Sequence, residues 1–340
     1  MRSSPPAVAG ADEERKLVFQ SALAQAEELW EAASVVGPAS RPLPLFYCMS
    51  QAGRAVCAAS AVPGEWRPLK HGLRRHVSEA ATPDERVVQH ATSVVDDPVG
   101  SFGMIARATE SETFEGRASV GDLWASLQGF PTPGDLFGER PRRLILNSVP
   151  APEDDRPMFA RVGSPLYGTF SFGVTDVLPD GYPRLQGMQF HGLRDGAIFR
   201  EQAYSFPRED GTLRPLWEVG ERDWERADRP LGKFVVRPGV GDGRGSLPSE
   251  FLTLYALLFC LSELARYYPD TWVGALDPDM TPAAVTLEHG LDIALERAPK
   301  LISEALGGPI SRFIREAVAR AERELREEEE AREAEGDPAP

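Results

Sequence analysis

Two stretches of this chain are apolar almost all the way round a helix, and the need to enclose both is the strongest constraint on its fold. Leu45 to Ala59 has Gln51 and Arg54 as its polar exceptions and is ended by Pro63-Gly64. Phe251 to Leu261 is the centre of a second, Ser249 to Tyr268, closed by Pro269. A helix without a polar face must be covered by other elements. At 340 residues, 42% of them hydrophobic, the chain can form a core large enough to do so. The run Phe251 to Leu261 is too short to span a bilayer and is followed by Glu263 and Arg266, so it reads as a core helix.

Other helices are signalled on either side. From Glu13 to Val36 the apolar positions Leu17, Val18, Ala22, Leu29 and Ala33 recur at helical spacing, and Gly37-Pro38 stops them. The segment ASRPLP then reads as a stiff turn before the second helix. Thr281-Pro282 starts a helix that Pro299 limits at about Ala298, and Leu301 to Leu306 adds a short turn before Gly307-Gly308. From Ser311 the positions Phe313, Ile314, Ala317, Val318, Ala321 and Leu325 form a last amphipathic helix, which runs out into an acidic tail.

Between Gly103 and Val236 the texture changes. Short β-prone runs (MIARAT, RRLILNSV, LYGTFSFGV, RLQGMQF, AIFREQAYSF, KFVV) are separated by Gly, Pro and Asp, with one short helix, Val120 to Gln128, capped by Ser119 and carrying Asp122 near its positive end. Without long helical crossovers the sheet is expected to be mainly antiparallel.

Charge and cysteine usage narrow the function classes. The net charge of −15 disfavours a general nucleic-acid surface and leaves a protein partner open; binding to nucleic acid would need a local Arg patch. Cys48, Cys57 and Cys260 sit in apolar contexts with no C-x-x-C pair or clustered histidines, so no metal site, no disulfide framework and no cofactor is indicated. No hydrophobic stretch follows MRSSPPAVAGADEER, so neither a signal nor a membrane anchor is read there and the expectation is a cytoplasmic protein.

Two groups of residues carry chemistry worth testing. In the second helix Gln51 and Arg54 interrupt the apolar surface, while Glu263 and Arg266 lie three apart beside Tyr267 and Trp272; if the helices pack together, Gln51, Arg54, Glu263 and Arg266 form an internal polar network. His71, followed by Arg74, Arg75 and His76, adds the densest basic cluster and a group able to exchange protons near neutral pH. The other group is Gly239, Gly241, Gly243, Arg244 and Gly245, whose amides and guanidinium are candidates to cradle a phosphate after the strand KFVV. It has neither the Walker Lys-Ser/Thr nor the dinucleotide spacing, and a flexible connection is the simpler reading. Signatures of a serine elbow, a zinc protease or a calcium loop are missing.

Three segments together, ASRPLPLFYCMSQAGRAV, the turn His71-Gly72-Leu73 and LYALLFCLSELARYYPDTWVG, resemble the YaaC-like proteins. That resemblance implies a bacterial cytoplasmic protein and transfers no catalytic residue. The paired helices around a Pro-rich turn are also similar to the bundles of HEPN-type RNases, which place an Arg and, a few residues on, a His on one helix. Here Arg184 and His191 have comparable spacing, in a segment read as strand and turn, whereas Arg54 and Arg266 have no His in register.

The expectation is therefore an α+β fold: a discontinuous helical bundle from the N- and C-terminal segments around a mainly antiparallel β-rich middle. Its boundaries are a disordered start at 1–12, a helical part at 13–100, the β-rich middle at 101–245, a helical part at 246–328 packing on 13–62, and an acidic disordered tail at 329–340. The expected function is a binding or interaction protein without a recognisable catalytic motif. The alternatives are an RNA- or nucleotide-processing enzyme using Arg54, His71 and Arg266, and a nucleotide-binding module built on the Gly239 to Gly245 loop.

Overall fold

The computed structural model of the chain describes residues 5–68, 70–76, 88–91, 100–131, 144–149, 159–163, 181–183, 189–195, 200–207, 213–214, 225–228, 233–281 and 284–307; for 75–76, 88–91 and the strands between 144 and 236 the description is of the backbone. Contacts divide the chain into two units, one of 1–73, 92–111 and 294–340, the other of 74–91 and 112–293.

The first unit is built on two helices, α2 (Glu13–Val35) and α3 (Pro42–Ala59), preceded by the short α1 (Ala7–Gly10), whose Ala9 is buried in the segment expected to be disordered. Asp12 caps α2 by accepting from the amides of Glu14 and Arg15 at 2.8 and 3.0 Å. The buried face of α2 is Phe19, Ala22, Ala26 and Ala33, while Leu17, expected in that face, is exposed. Three alanines let α2 lie close along α3. Helix α3 begins three residues before the expected Leu45: Pro42 and Pro44 form its first turn instead of a separating loop, since the missing amides of prolines there would have had no partner in the helix.

Helix α4 (Ser101–Thr109) contains the run MIARAT, which had been read as strand. Six residues fit either period, and as a helix the run packs on α3 at Gly53. A Cβ at Gly53 would strike the Ile105 side chain, so the two helices meet where one of them has no side chain. The first-turn amides of α4 are satisfied from outside: Ser101 donates to the Lys70 carbonyl at 2.7 Å and Phe102 to the His71 carbonyl at 3.0 Å. Gly72, at φ +74 and packed against Gly100, lets this strap pass.

The second unit contains α5 (Val120–Ser126), α6 (Glu250–Tyr267) and α7 (Pro269–Ala275). Ser119 accepts the Asp122 amide at 3.0 Å, as the cap expected for α5, and Ser249, read as the first residue of its helix, caps α6 by accepting the Leu252 amide at 3.4 Å. Fourteen of the residues of α6 are buried, including Thr253 and Ser262, whose hydroxyls donate back to carbonyls one turn earlier.

Helix α8 (284–307) contributes to both units and runs straight through Pro299, where a break was expected. Proline removes the amide that would have bonded to the carbonyl four residues back, at Leu295. That carbonyl instead accepts the indole N–H of Trp30 on α2, at 2.8 Å and within the first unit. The Leu295 acceptor is thus satisfied and the helix continues.

The expected fold class needs correction. Among the fully described residues 66% are helical and 5% are in strand, so the protein is mainly helical rather than an α+β fold with a mainly antiparallel β-rich middle. The part of that middle described in most detail, 101–131, is two helices and the three-residue strand β3 (Arg117–Ser119), which follows β1 (Leu73–His76) and β2 (Val88–Ala91) in a small ladder. Most of 132–236 is outside the described residues. The backbone segments that are described, β4 (Leu144–Val149), β5 (Phe159–Gly163), β6 (Gln189–Asp195), β7 (Arg200–Pro207), β8 (Leu213–Arg214), β9 (Glu225–Asp228) and β10 (Lys233–Val236), pair antiparallel in the orders β5-β4-β10-β9 and β6-β7-β8. The run LYGTFSFGV, the helix expected from Ser311 and the tail 329–340 lie outside the described residues. Among the described residues no helix is long and apolar enough to cross a membrane.

Candidate functional site

Helix α3 is buried at every position from Leu45 to Ala59 except Tyr47, Gln51 and Arg54. Those three are spaced four and three apart and therefore lie on one face, two helical turns long. Arg54 is exposed, and neither Gln51 nor Arg54 forms a hydrogen bond or ion pair among the described residues. A charged group is thus held on a helix whose other surfaces are packed. Its backbone position is fixed by the core residues Met49, Ala52, Ala55 and Val56, all 0% exposed. His71 belongs to the same unit. Its ring meets Phe46, the neighbour of Tyr47, edge-on at 5.1 Å between centroids, and Phe46 and Tyr47 are themselves 5.4 Å apart.

The other half of the expected polar network, Glu263 and Arg266, falls in the second unit. There the two residues form a long ion pair of 4.0 Å near the end of α6, and the guanidinium lies over the Tyr267 ring at 5.0 Å. With both side chains partly in water, this pair contributes little to stability.

The glycine segment 239–245 forms a closed turn. Val240 and Ser246 pair in both directions, at 2.8 and 3.3 Å; the Gly239 amide donates to Gly181, the Asp242 amide to Glu115 and the Arg244 amide to Gly241. The Leu247 amide donates to the Glu112 carboxylate at 2.8 Å. Of the candidate donors, the Gly239 and Arg244 amides are thus engaged within the protein. Gly241, at φ +84, sits against the Glu115 carbonyl, where a side chain has no room. Arg244 pairs with Asp122 in the first turn of α5 at 3.1 Å, tying the turn to the 112–122 segment of the same unit. Arg184, the start of the RNase-like spacing, is outside the described residues, and His191 lies in β6.

A feature that residue order did not reveal lies in the first unit. The Arg15 guanidinium stands 5.0 Å from the centre of the Trp66 ring and donates to the Ser60 carbonyl at 2.8 Å. Arg67 lies 5.9 Å from the same ring and pairs with Glu14. The carboxylate of Glu65 accepts the amides of Trp66 and Arg67 at 3.1 and 2.9 Å. This ladder pins the 60–67 turn to the first turn of α2, and its cations already have acceptors.

The cysteines are not poised as nucleophiles. Burial pushes Cys48 from its ordinary 9.0 up to about 12 and does the same to Cys57, where the nearby Arg107 charge opposes the rise; both stay protonated at neutral pH. Cys260 is buried too. Among the described residues no group of three or more His, Cys, Asp or Glu side chains is placed to hold a metal ion.

Compared with known proteins, the chain matches the family model described as YaaC-like protein over residues 6–157 and 222–306. No curated protein and no solved structure matches it. The matched ranges include Tyr47, Gln51, Arg54 and His71, the 239–245 turn, Glu263 and Arg266, and more than half the chain, so the protein belongs to the YaaC-like family.

Proposed function

We propose that this protein is a binding protein that recognises an anionic group of its ligand through the Tyr47, Gln51 and Arg54 face of α3. The observation carrying this reading is the isolation of Gln51 and Arg54: on a helix otherwise enclosed, a donor-rich amide and a guanidinium face outward without a hydrogen-bond partner among the described residues. A guanidinium carried on a rigid helix suits phosphate or carboxylate, because its planar fork of donors matches their oxygens in pairs. Tyr47 adds an aromatic surface one turn from Gln51 and two turns from Arg54.

Thermal unfolding with inorganic phosphate, ATP, GTP, dinucleotides and a dicarboxylate at millimolar concentration tests this, since a ligand that prefers the folded state raises the melting temperature. At least one of these ligands is expected to raise it in the wild type and to lose most of that effect in Arg54→Gln. If none shifts the transition, the anion-binding reading fails. The enzyme alternative requires turnover: hydrolysis of RNA or nucleotide by the purified protein, abolished by Arg54→Gln or His71→Asn, would replace binding by catalysis as the conclusion.

A further inference from the structure

The face of α3 that carries Gln51 and Arg54 changes character along the helix. Leu43 and Pro44, then Tyr47, Gln51 and Arg54 follow one another at three- and four-residue steps and are partly or fully open to solvent, while the residues between them from Leu45 to Gly53 are buried. The end nearer the start of the helix is therefore apolar and the other is polar and cationic. From Tyr47 to Arg54 the helix rises about 10 Å, at about 1.5 Å per residue. Phe46, 2% exposed, places the apolar end: its ring lies 5.4 Å from that of Tyr47 on one side and 5.1 Å from that of His71 on another. Gln51 stands between the two ends with an amide that both donates and accepts.

A bare inorganic anion uses only the Arg54 end. A ligand that uses the whole face has a flat apolar ring, then hydrogen-bonding groups, then an anion, in that order. Nucleotides are built in this order: the π-face of a base stacks on an aromatic side chain whatever the base, ribose hydroxyls pair with an amide, and phosphate oxygens match the guanidinium fork. A fatty carboxylate would set an alkyl chain against the Gln51 amide, and a chain of phosphates would set charge against Tyr47 and Pro44; both leave polar groups poorly matched. Resting on the anion-binding reading of Arg54, we infer that the ligand of this face is a nucleoside diphosphate or triphosphate, with its base against Tyr47 and its terminal phosphates at Arg54.

Calorimetric titration of the full chain with ADP and with pyrophosphate separates the two ends of the face. ADP is expected to bind about ten-fold more tightly than pyrophosphate, the gain from stacking one base. Arg54→Gln should weaken both ligands. Tyr47→Leu, which keeps an apolar side chain and removes the ring, should weaken ADP about ten-fold and leave pyrophosphate as in the wild type, whereas Tyr47→Phe should bind both as the wild type does. The comparison of the two ligands on the wild type needs no variant, so it decides the matter even if Tyr47→Leu is poorly folded. Equal binding of ADP and pyrophosphate, both weakened by Arg54→Gln, would overturn the nucleotide assignment while the anion-binding reading stands. Binding of neither ligand, or binding unaltered by Arg54→Gln, would overturn both. Undiminished ADP affinity in a folded Tyr47→Leu protein would overturn the placement of the base.

Discussion

The indole N–H of Trp30 donates to the backbone carbonyl of Leu295, the acceptor that Pro299 leaves without its helical amide. A side chain on α2 thus completes the hydrogen bonding of α8 at the one turn where the helix cannot do so itself. Trp30→Phe, which keeps the ring packing and removes the donor, is expected to cost about 1–3 kcal/mol, the range for leaving a sheltered polar group unmatched. In a Pro299→Ala background the restored amide competes for the same carbonyl, so the cost of Trp30→Phe should fall by half or more. Urea unfolding of the four proteins of this cycle gives the coupling directly; additive effects would show that the indole acts by packing alone.

Two glycines at helix crossings should differ in their tolerance of a methyl group. At Gly53 the obstacle is the terminal carbon of Ile105, the flexible end of a side chain. At Gly290 it is the Trp124 ring, fixed edge-on to Phe130 at 5.0 Å and by its N–H bond of 2.8 Å to the Pro131 carbonyl. Both substitutions gain the same helix propensity. Gly53→Ala is therefore expected within about 1 kcal/mol of the wild type and Gly290→Ala about 3 kcal/mol below it, as judged by chemical denaturation.

How far these features were legible in the sequence depended on how local their cause is. The all-apolar runs that became α3 and α6 could be read because burial of every face needs no partner to be named, and Ser249 and Pro269 mark the ends of α6 within the segment itself. Gln51 and Arg54 stood out for the same reason, as did the three-residue spacing of Glu263 and Arg266. By contrast MIARAT has too few residues to reveal its period, and the close approach of its Ile105 to Gly53 joins it to another helix. The continuation of α8 through Pro299 was hidden because its donor, Trp30, lies 265 residues away in sequence. The Trp66 ladder was hidden likewise, since Arg15 and Trp66 meet only after α2 and α3 have packed.

The thiols supply a prediction in pH. The folded state holds Cys48 and Cys57 well above the ordinary 9.0, so it retains protons that the unfolded chain gives up. Stability from this source is complete below about pH 9 and is lost as pH rises from there toward about 12, because in that interval the unfolded state binds fewer protons than the folded one. Denaturation midpoints should fall across that interval, and Cys48→Ala with Cys57→Ala should flatten the decline. At neutral pH a thiol reagent should modify these two cysteines only as fast as the protein opens. Rapid labelling of Cys48 or Cys57 in the folded protein would contradict their enclosure.

The central claim is that the outward face of α3 binds an anion through Arg54. Calorimetric titration of the wild type and of Arg54→Gln with the ligand giving the largest thermal shift tests it most directly. The account predicts a dissociation constant at least ten-fold weaker in the variant with an unchanged unfolding free energy, because Arg54 is exposed and lies outside the core. Equal affinities in the two proteins would contradict it.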